Sequence, residues 1–121
     1  MAVKQGLTEE INVNNMTWYE NLYIGENVKK RAPRVIRALK RGKFAARAYV
    51  IALASNPANL LDLYPAFVLR QEHFQTERLS IVGLAADKEE AMEVAAVIVE
   101  ETLSHTGSTD VRKYLKVEEE R

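Results

Sequence analysis

The spacing of apolar residues predicts one helix early in the chain. Between Gly25 and Gly42, apolar side chains recur at i, i+4, i+7, i+8 and i+11, which is typical of a single apolar stripe on a helix. Pro33 lies inside this segment, and a proline in a helix interior costs roughly 3 kcal/mol. Either the regular helix begins near Ala32, with Pro33 in its first turn, or it is kinked at Pro33, and of these we prefer the first. We expect the helix to stop at Gly42.

Two continuous apolar runs, Ala48–Ala54 and Leu79–Ala85, predict strands that are buried on both faces of a parallel sheet. Residues 59–63 and 66–74 lie between these runs, and the separation is long enough for a helical crossover. The runs therefore predict a βαβ core with a right-handed connection. Residues 17–24 contain aromatic and β-forming side chains, so either a short edge strand or a helical turn can form there.

A second strong helix is predicted from Asp87 to about Ser104, because Asp87 can cap it and Glu90 completes an acidic form of the capping box. Apolar residues lie nearly all round this helix, which indicates a helix covered on two sides. Gly107 closes the helix, and a short final helix is predicted over residues 111–115.

Together these elements predict an α/β fold in a single small domain, with a short parallel-containing sheet and helices packed on it. The predicted order is (β?)-α-β-α-β-α-α. We expect a flexible N-terminal arm over residues 1–16, the domain over 17–116 and a charged C-terminal tail over 117–121. Two strands alone are marginal, so the sheet needs either a strand from residues 17–24 or a partner chain. The all-round apolar helix favours a partner chain, and we predict a homodimer.

The overall composition is that of an ordinary globular domain. The chain has 121 residues, of which 47% are hydrophobic, with 17 basic residues against 17 acidic ones. This balance excludes a polycationic tail and disorder over the whole chain. The absence of cysteine excludes disulfides, thiolate metal sites and a cysteine nucleophile. The longest apolar run has seven residues, whereas a membrane span needs about 20, so we expect a cytoplasmic protein without membrane contact.

Neutrality of the whole chain conceals a strong charge asymmetry. Residues 27–61 contain nine basic residues and no acid, whereas residues 87–121 contain ten acids and five bases. On the first helix, basic residues recur at i, i+4, i+7 and i+11. This basic row consists of Lys30, Arg34, Arg37 and Arg41. Like charges at such spacings destabilise a helix mildly, so we expect a compensating contact.

Three accounts of the basic row remain open. The row can be a solvated face that is neutralised by the acidic helix of the same or a neighbouring chain. It can bind an acidic protein or an anionic small molecule. It can also bind the phosphates of RNA or another nucleic acid, which suit the forked guanidinium group. We expect a non-catalytic binding or assembly module that contacts an acidic partner through this helix, with nucleic-acid binding as the alternative function.

The loops after the two predicted strands are further candidates. Ligands bind beyond the carboxyl ends of parallel strands, so Ser55, Asn56 and Asp87 could face one small ligand or substrate. Ordinary turn and cap chemistry explains the same residues. The hydroxyl-rich segment Ser104–Asp110 could likewise hold an anion, or it could simply end one helix and start the next.

The sequence offers little for catalysis or for metal binding. His73 and His105 are the only histidines and lack the spacing of a shared zinc site, so we expect no metal, no cofactor and no assigned catalytic residue. An enzyme that acts at the strand-end loops stays open as a third possibility. Trp18, Tyr19 and Tyr23 could stack on bases, or they could pack the end of the sheet or an interface.

The segment Ala38–Lys43, followed by a predicted strand from Tyr49 and then a helix, looks like the start of the kink-turn RNA-binding ribosomal protein family. The likeness rests on a helix that ends in a glycine-lysine turn and leads into a buried strand. The Gly-Thr-Asn-Glu loop of that family is not matched, since only Gly25–Asn27 stands near its place. The resemblance therefore implies RNA binding as an expectation and assigns no family.

Overall fold

The computed structural model describes residues 15–56, 58–71 and 76–115, which form a mixed sheet with helices packed on it. The predicted α/β class and the parallel-containing sheet are thereby confirmed. The elements are β1 (Thr17–Ile24), α1 (Ala32–Lys40), β2 (Tyr49–Leu53), β3 (Leu61–Pro65), β4 (Ser80–Ala85), α2 (Lys88–Thr106) and α3 (Val111–Leu115). Short 3-10 helices cover Lys29–Arg31, Ala66–Arg70 and Thr76–Arg78.

The strand order, β1-β4-β2-β3 among the described residues, corrects the predicted βαβ core. β1 and β4 are parallel, but β2 is antiparallel to both β4 and β3. The crossover predicted over 59–63 and 66–74 is wrong, because residues 61–65 form a strand that pairs with β2. Period-two alternation in this segment was the missed signal: Leu61 and Leu63 pack on one face of the sheet and Tyr64 on the other.

Of the two structures predicted for residues 17–24, an edge strand or a helical turn, the strand is confirmed. β1 covers the same residues and lies at an edge of the sheet. Its register with β4 shifts between Trp18 and Tyr23, and Glu20 and Asn21 are exposed within the shifted stretch. An irregular, charged edge of this kind discourages pairing with another sheet. The sheet therefore obtains its further strands, β1 and β3, from this chain itself.

The sheet separates two apolar cores. Successive residues of a strand point to opposite faces, and on β2 Val50 belongs to the first core while Ile51 belongs to the second. Val35 and Leu39 of α1 pack in the first core, and Val94 and Ile98 of α2 pack in the second core. α1 and α2 therefore cover opposite faces, and the domain has three layers.

Most of the predicted helix ends are confirmed. α1 begins at Ala32 with proline in its first turn, and Gly42 follows it with a φ of 79°. α2 is capped by the side chain of Asp87, which accepts a hydrogen bond of 2.8 Å from the N–H of Glu90. Gly107 ends α2 with a φ of 76°, a backbone conformation that glycine adopts at little cost.

The predicted terminal segments lie mostly outside the described residues. This applies to residues 1–14 of the expected arm and to the tail over 117–121. Met16, which was assigned to the arm, is instead buried in the first core. The described fold therefore includes Met16, one residue before the predicted start of the domain.

Glu90 departs from its predicted role in a capping box, in which its side chain would accept from the N–H of Asp87. The residue is only 5% exposed, and its carboxylate accepts from the N–H of Asn27 at 2.7 Å and from the N–H of Ala86 at 2.8 Å. Asn27 follows β1 and Ala86 follows β4, so one side chain fastens the ends of the two parallel strands together. A Cβ at Gly25 would overlap this carboxylate.

We predict that Gly25→Ala destabilises the fold by about 1–3 kcal/mol, because the added methyl group displaces the Glu90 side chain from its backbone donors. Glu90→Ala is expected to cost a similar amount or more, since it leaves two backbone N–H groups without their acceptor. Urea unfolding of both single variants and of the double variant measures these effects. The double variant should lose much less than the sum of the two, and simple additivity would contradict the proposed overlap.

Candidate functional site

The basic row lies on the outer side of the first layer. Lys30, Arg34, Arg37 and Arg41 are all exposed, whereas Val35 and Leu39 on the inner side of α1 are buried. The row therefore projects away from the sheet, as its spacing predicts. Within the described residues, no member of the row forms an ion pair with an acid.

The exposed basic surface is wider than the predicted row. Seven exposed side chains around α1, here called the basic face, are Lys29, Lys30, Arg34, Arg37, Arg41, Lys43 and Arg47. Lys40 differs from them, because it is half-buried and its Nζ lies 5.4 Å from the centroid of the Trp18 ring in a cation–π contact. Residues from Lys29 to Arg47 thus present one continuous electropositive segment.

The acidic helix of the same chain does not neutralise this surface. Its exposed acids include Glu89, Glu93 and Glu100, all carried by α2. Because α1 and α2 pack in different cores on opposite faces of the sheet, the whole sheet lies between the two sets of charges. One part of the first account, neutralisation by α2 of the same chain, is therefore excluded.

A 3-10 helix, Ala66–Arg70, extends the same layer beyond the basic face. Ala66 and Leu69 are buried in the first core with α1, and the N–H of Ala66 donates to the carbonyl of Ala48 at 2.9 Å. Phe67, in contrast, is 61% exposed. Phe67 and Arg70, together with Gln71, line an open concavity of about 540 Å³.

Sequence reasoning missed Phe67 because residues 66–74 were assigned to a crossover helix, in which a phenylalanine would face the core. Pro65 was the available signal, since a proline at the end of a strand fixes the start of a new turn. The resulting 3-10 helix is too short to bury both Leu69 and Phe67 against the sheet.

The predicted ligand loops are not brought together. Tyr49 pairs with Ala85, so the start of β2 lies beside the end of β4. Ser55 and Asn56 follow the other end of β2, and the length of the sheet therefore separates them from Asp87. The expectation that these three residues face one ligand is wrong, because it depended on parallel pairing.

Each of these loop residues takes part in a hydrogen bond of its own turn or helix end. Asp87 caps α2, and the Oδ1 of Asn56 accepts from the N–H of Ala58 at 2.9 Å. The N–H of Ser55 donates to Oδ2 of Asp62 at 3.2 Å, and the hydroxyl of Tyr64 donates to the same oxygen at 3.0 Å. These contacts are the turn and cap chemistry that the sequence offered as the alternative.

The aromatic cluster is divided between the two cores. Trp18 packs against the first core, and Tyr19 and Tyr23 pack against the second. The two tyrosine rings stack with centroids 6.2 Å apart, and the Tyr23 hydroxyl donates to Glu101 at 2.6 Å. Burial raises the pKa of Tyr23, and the hydrogen bond to Glu101 adds to the rise. These residues therefore pack the sheet and do not form one stacking platform.

The hydroxyl-rich segment ends one helix and starts the next. The Thr106 hydroxyl donates to the Thr102 carbonyl at 2.7 Å, and the Ser108 hydroxyl accepts from the N–H of Asp110 at 3.0 Å. Asp110 in turn accepts from the N–H of Lys113 at 3.1 Å. The polar groups of the segment thus form hydrogen bonds with nearby backbone groups. A groove of about 390 Å³ runs beside Ser108–Arg112.

His105 also has a structural contact. Its Nδ1 lies 2.9 Å from the Glu101 carbonyl, and its ring stacks on Tyr114 with centroids 5.5 Å apart. In the described part of the chain, no group of three or more histidine, aspartate or glutamate side chains could hold a metal ion. His73 lies outside the described residues.

Comparison with protein-family models, with curated proteins and with solved structures found no match. The resemblance to the kink-turn RNA-binding family also fails on structure, because β2 is followed by β3 where the likeness needs a helix. Among the described helices, none combines the length and the apolar character needed to cross a membrane.

We predict that Tyr64 titrates late and that alkali weakens the fold through it. Burial raises its pKa from 10.0 to about 12, with further contributions from the hydrogen bond and the charge of Asp62. A raised pKa means that the protonated phenol is favoured by folding, so its stabilising contribution is complete below pH 10 and is lost as the pH rises towards about 12.

Tyrosine-labelled NMR, with the signal assigned by Tyr64→Phe, measures this titration directly. Asp62→Asn should move the pKa of Tyr64 back towards its ordinary value, because the charge on the acceptor is removed. Tyr114→Phe serves as the matched control and should leave the Tyr64 signal unchanged. Titration of Tyr64 at the ordinary value in the unaltered protein would contradict the described contact.

Proposed function

We propose that this protein is a non-catalytic binding module whose basic face docks on the phosphate backbone of a nucleic acid. One observation carries the proposal: seven basic side chains stand exposed around α1 without an acidic partner among the described residues, and the acids of α2 lie across the sheet. We infer that a partner from outside the chain supplies the compensating charge, since no acid among the described residues does so.

A nucleic acid supplies that charge in the form that suits this surface. Four of the seven residues of the basic face are arginines, Arg34, Arg37, Arg41 and Arg47, and the guanidinium fork binds phosphate with two parallel hydrogen bonds. Neutralising several phosphates also releases condensed counterions, which drives association at moderate salt. We include a cytoplasmic location in the proposal, because a chain without cysteine fits a reducing compartment.

The alternative is an assembly module that contacts an acidic protein surface. The exposed acids Glu89, Glu93 and Glu100 on α2 of a second copy are one such surface. A flexible acidic polymer without phosphates or bases separates this alternative from the proposal, because it offers charge but no tetrahedral anion for the guanidinium fork.

We predict that a short fluorescein-labelled oligonucleotide binds the protein, and that the logarithm of the affinity falls with the logarithm of salt concentration. Four phosphate contacts to a single strand correspond to a slope of about −3. Arg34→Glu with Arg37→Glu should abolish binding at physiological salt. Fluorescence anisotropy at several salt concentrations, with the oligonucleotide both single-stranded and annealed to its complement, measures these effects.

The matched control is Lys88→Glu with Lys113→Glu, which makes the same change in net charge on exposed residues of α2 and α3. This control should keep most of the affinity. Binding of polyglutamate in place of either form of the oligonucleotide would assign the basic face to an acidic protein. No binding of any of these polymers at low salt would leave the basic face as a solvated surface and overturn the proposal.

Self-association stays a prediction, and the structure adds one supporting observation. The sequence predicts that α2 is covered on two sides. Met92 and Leu103 on its outer side are 56% and 49% exposed, so the described residues of the chain cover only one side. Sedimentation of the purified protein should show a dimer, and Leu103→Glu should shift it to monomer. Leu60→Glu, at an exposed leucine outside α2, is the control. A monomeric unaltered protein would contradict the prediction.

A further inference from the structure

We infer that the nucleic acid is single-stranded and that Phe67 stacks on one of its bases at the end of the basic face. This inference rests on the proposed function and names the form of nucleic acid that the site selects. The juxtaposition that carries it is an exposed aromatic ring joined through the backbone to an electropositive segment.

Phe67 is held outward by its neighbours. It is the most exposed of the large hydrophobic side chains in the described part of the chain, at 61%. Ala66 and Leu69 on either side are buried at 1% and 3%, and their packing in the first core fixes the 3-10 helix that carries the ring. The ring is thus presented from an anchored element, which lowers the entropic cost of a stacking contact.

The element that carries the ring is hydrogen-bonded to the chain at the end of the basic face. The hydrogen bond from the Ala66 N–H to the Ala48 carbonyl places the 3-10 helix against the residue that follows Arg47, the last member of the basic face. Arg70, one turn beyond Phe67, is exposed and lines the same concavity as the ring. A single strand whose phosphates contact Arg47 therefore has an aromatic ring and a further cation on the adjoining element.

A single strand can use this combination, and a duplex cannot. In a single strand the bases turn out of the backbone and stack on aromatic rings, whatever their sequence. In a duplex the base faces are already stacked inside, so only the phosphates, the sugars and the base edges in the grooves remain for contact, and none of these stacks on an aromatic ring. Trp18 does not provide a competing platform, because it is half-buried and its ring is covered by Lys40.

The test compares Phe67→Ala with the unaltered protein in the anisotropy assay. The probes are fluorescein-labelled oligothymidylate and oligouridylate of about 12 nucleotides, within the span of known single-strand sites, and a duplex of equal length. We expect both single strands to bind more tightly than the duplex. Phe67→Ala should weaken single-strand binding by about 5-fold to 100-fold and leave duplex binding unchanged. The two single strands differ in the 2′-hydroxyl and in the thymine methyl group, and stacking on Phe67 requires neither, so both should bind.

Two further variants separate stacking from a general loss of surface. Phe67→Trp should retain single-strand affinity, and its added fluorescence should be quenched on binding. Leu60→Ala, which shortens an exposed side chain outside both the basic face and α2, should bind as the unaltered protein does. Phe67→Ala should keep the salt slope, since a stacking contact releases no counterion, whereas Arg34→Glu with Arg37→Glu should lower it.

The outcomes distinguish failure of this inference from failure of the proposed function. If Phe67→Ala binds single strands as well as the unaltered protein, or if it weakens the duplex equally, stacking at Phe67 is overturned while backbone binding by the basic face stands. Tighter binding of the duplex than of the single strands would also overturn stacking at Phe67 and leave backbone binding by the basic face standing. If no nucleic acid binds at low salt, the proposed function itself fails. Circular dichroism of each variant confirms that the fold is intact.

Discussion

The buried carboxylate of Glu90 fixes the geometry on which the rest of the structure depends. Its two oxygens accept from the N–H groups of Asn27 and Ala86, so the exits of the parallel strands β1 and β4 are held at one point. Buried N–H groups without a partner cost free energy comparable to a lost hydrogen bond, and here one side chain satisfies two of them. Gly25 makes room for that side chain, because any Cβ at this position would overlap it.

The position of the basic face follows from this attachment. The chain leaves β1 at Gly25, passes Asn27 and enters α1 at Ala32, so the start of α1 is set by the same contacts that hold the start of α2. Ile24 and Val50 both pair with Leu84, which means that β1 ends and β2 begins at the same end of the sheet. α1 and its flanking turns therefore join two neighbouring points, and α1 itself packs on the face of the sheet opposite to α2.

How far the sequence predicts the structure depends on whether the signal is local. Pro33, Gly42, Asp87 and Gly107 mark helix ends by their own backbone or side-chain chemistry, and each stands where it was expected. Strand direction has no such local marker. Buried runs of apolar residues look alike in parallel and antiparallel strands, so β2 was given the wrong direction, and the loops at Ser55 and Asp87 were wrongly joined as a consequence.

The candidate site also combines features that have a local signal in the sequence with features that have none. Outward projection of Arg34, Arg37 and Arg41 follows from helical spacing, and the sequence predicts it. Separation of these arginines from the acids of α2 depends on which sheet face each helix covers, which is set by strand order. Phe67 joins the site only because Ala66 bonds to Ala48, a contact between segments that the predicted crossover helix would have kept apart. The charges of the surface were thus readable in the sequence, whereas its aromatic end required the antiparallel β2–β3 pair.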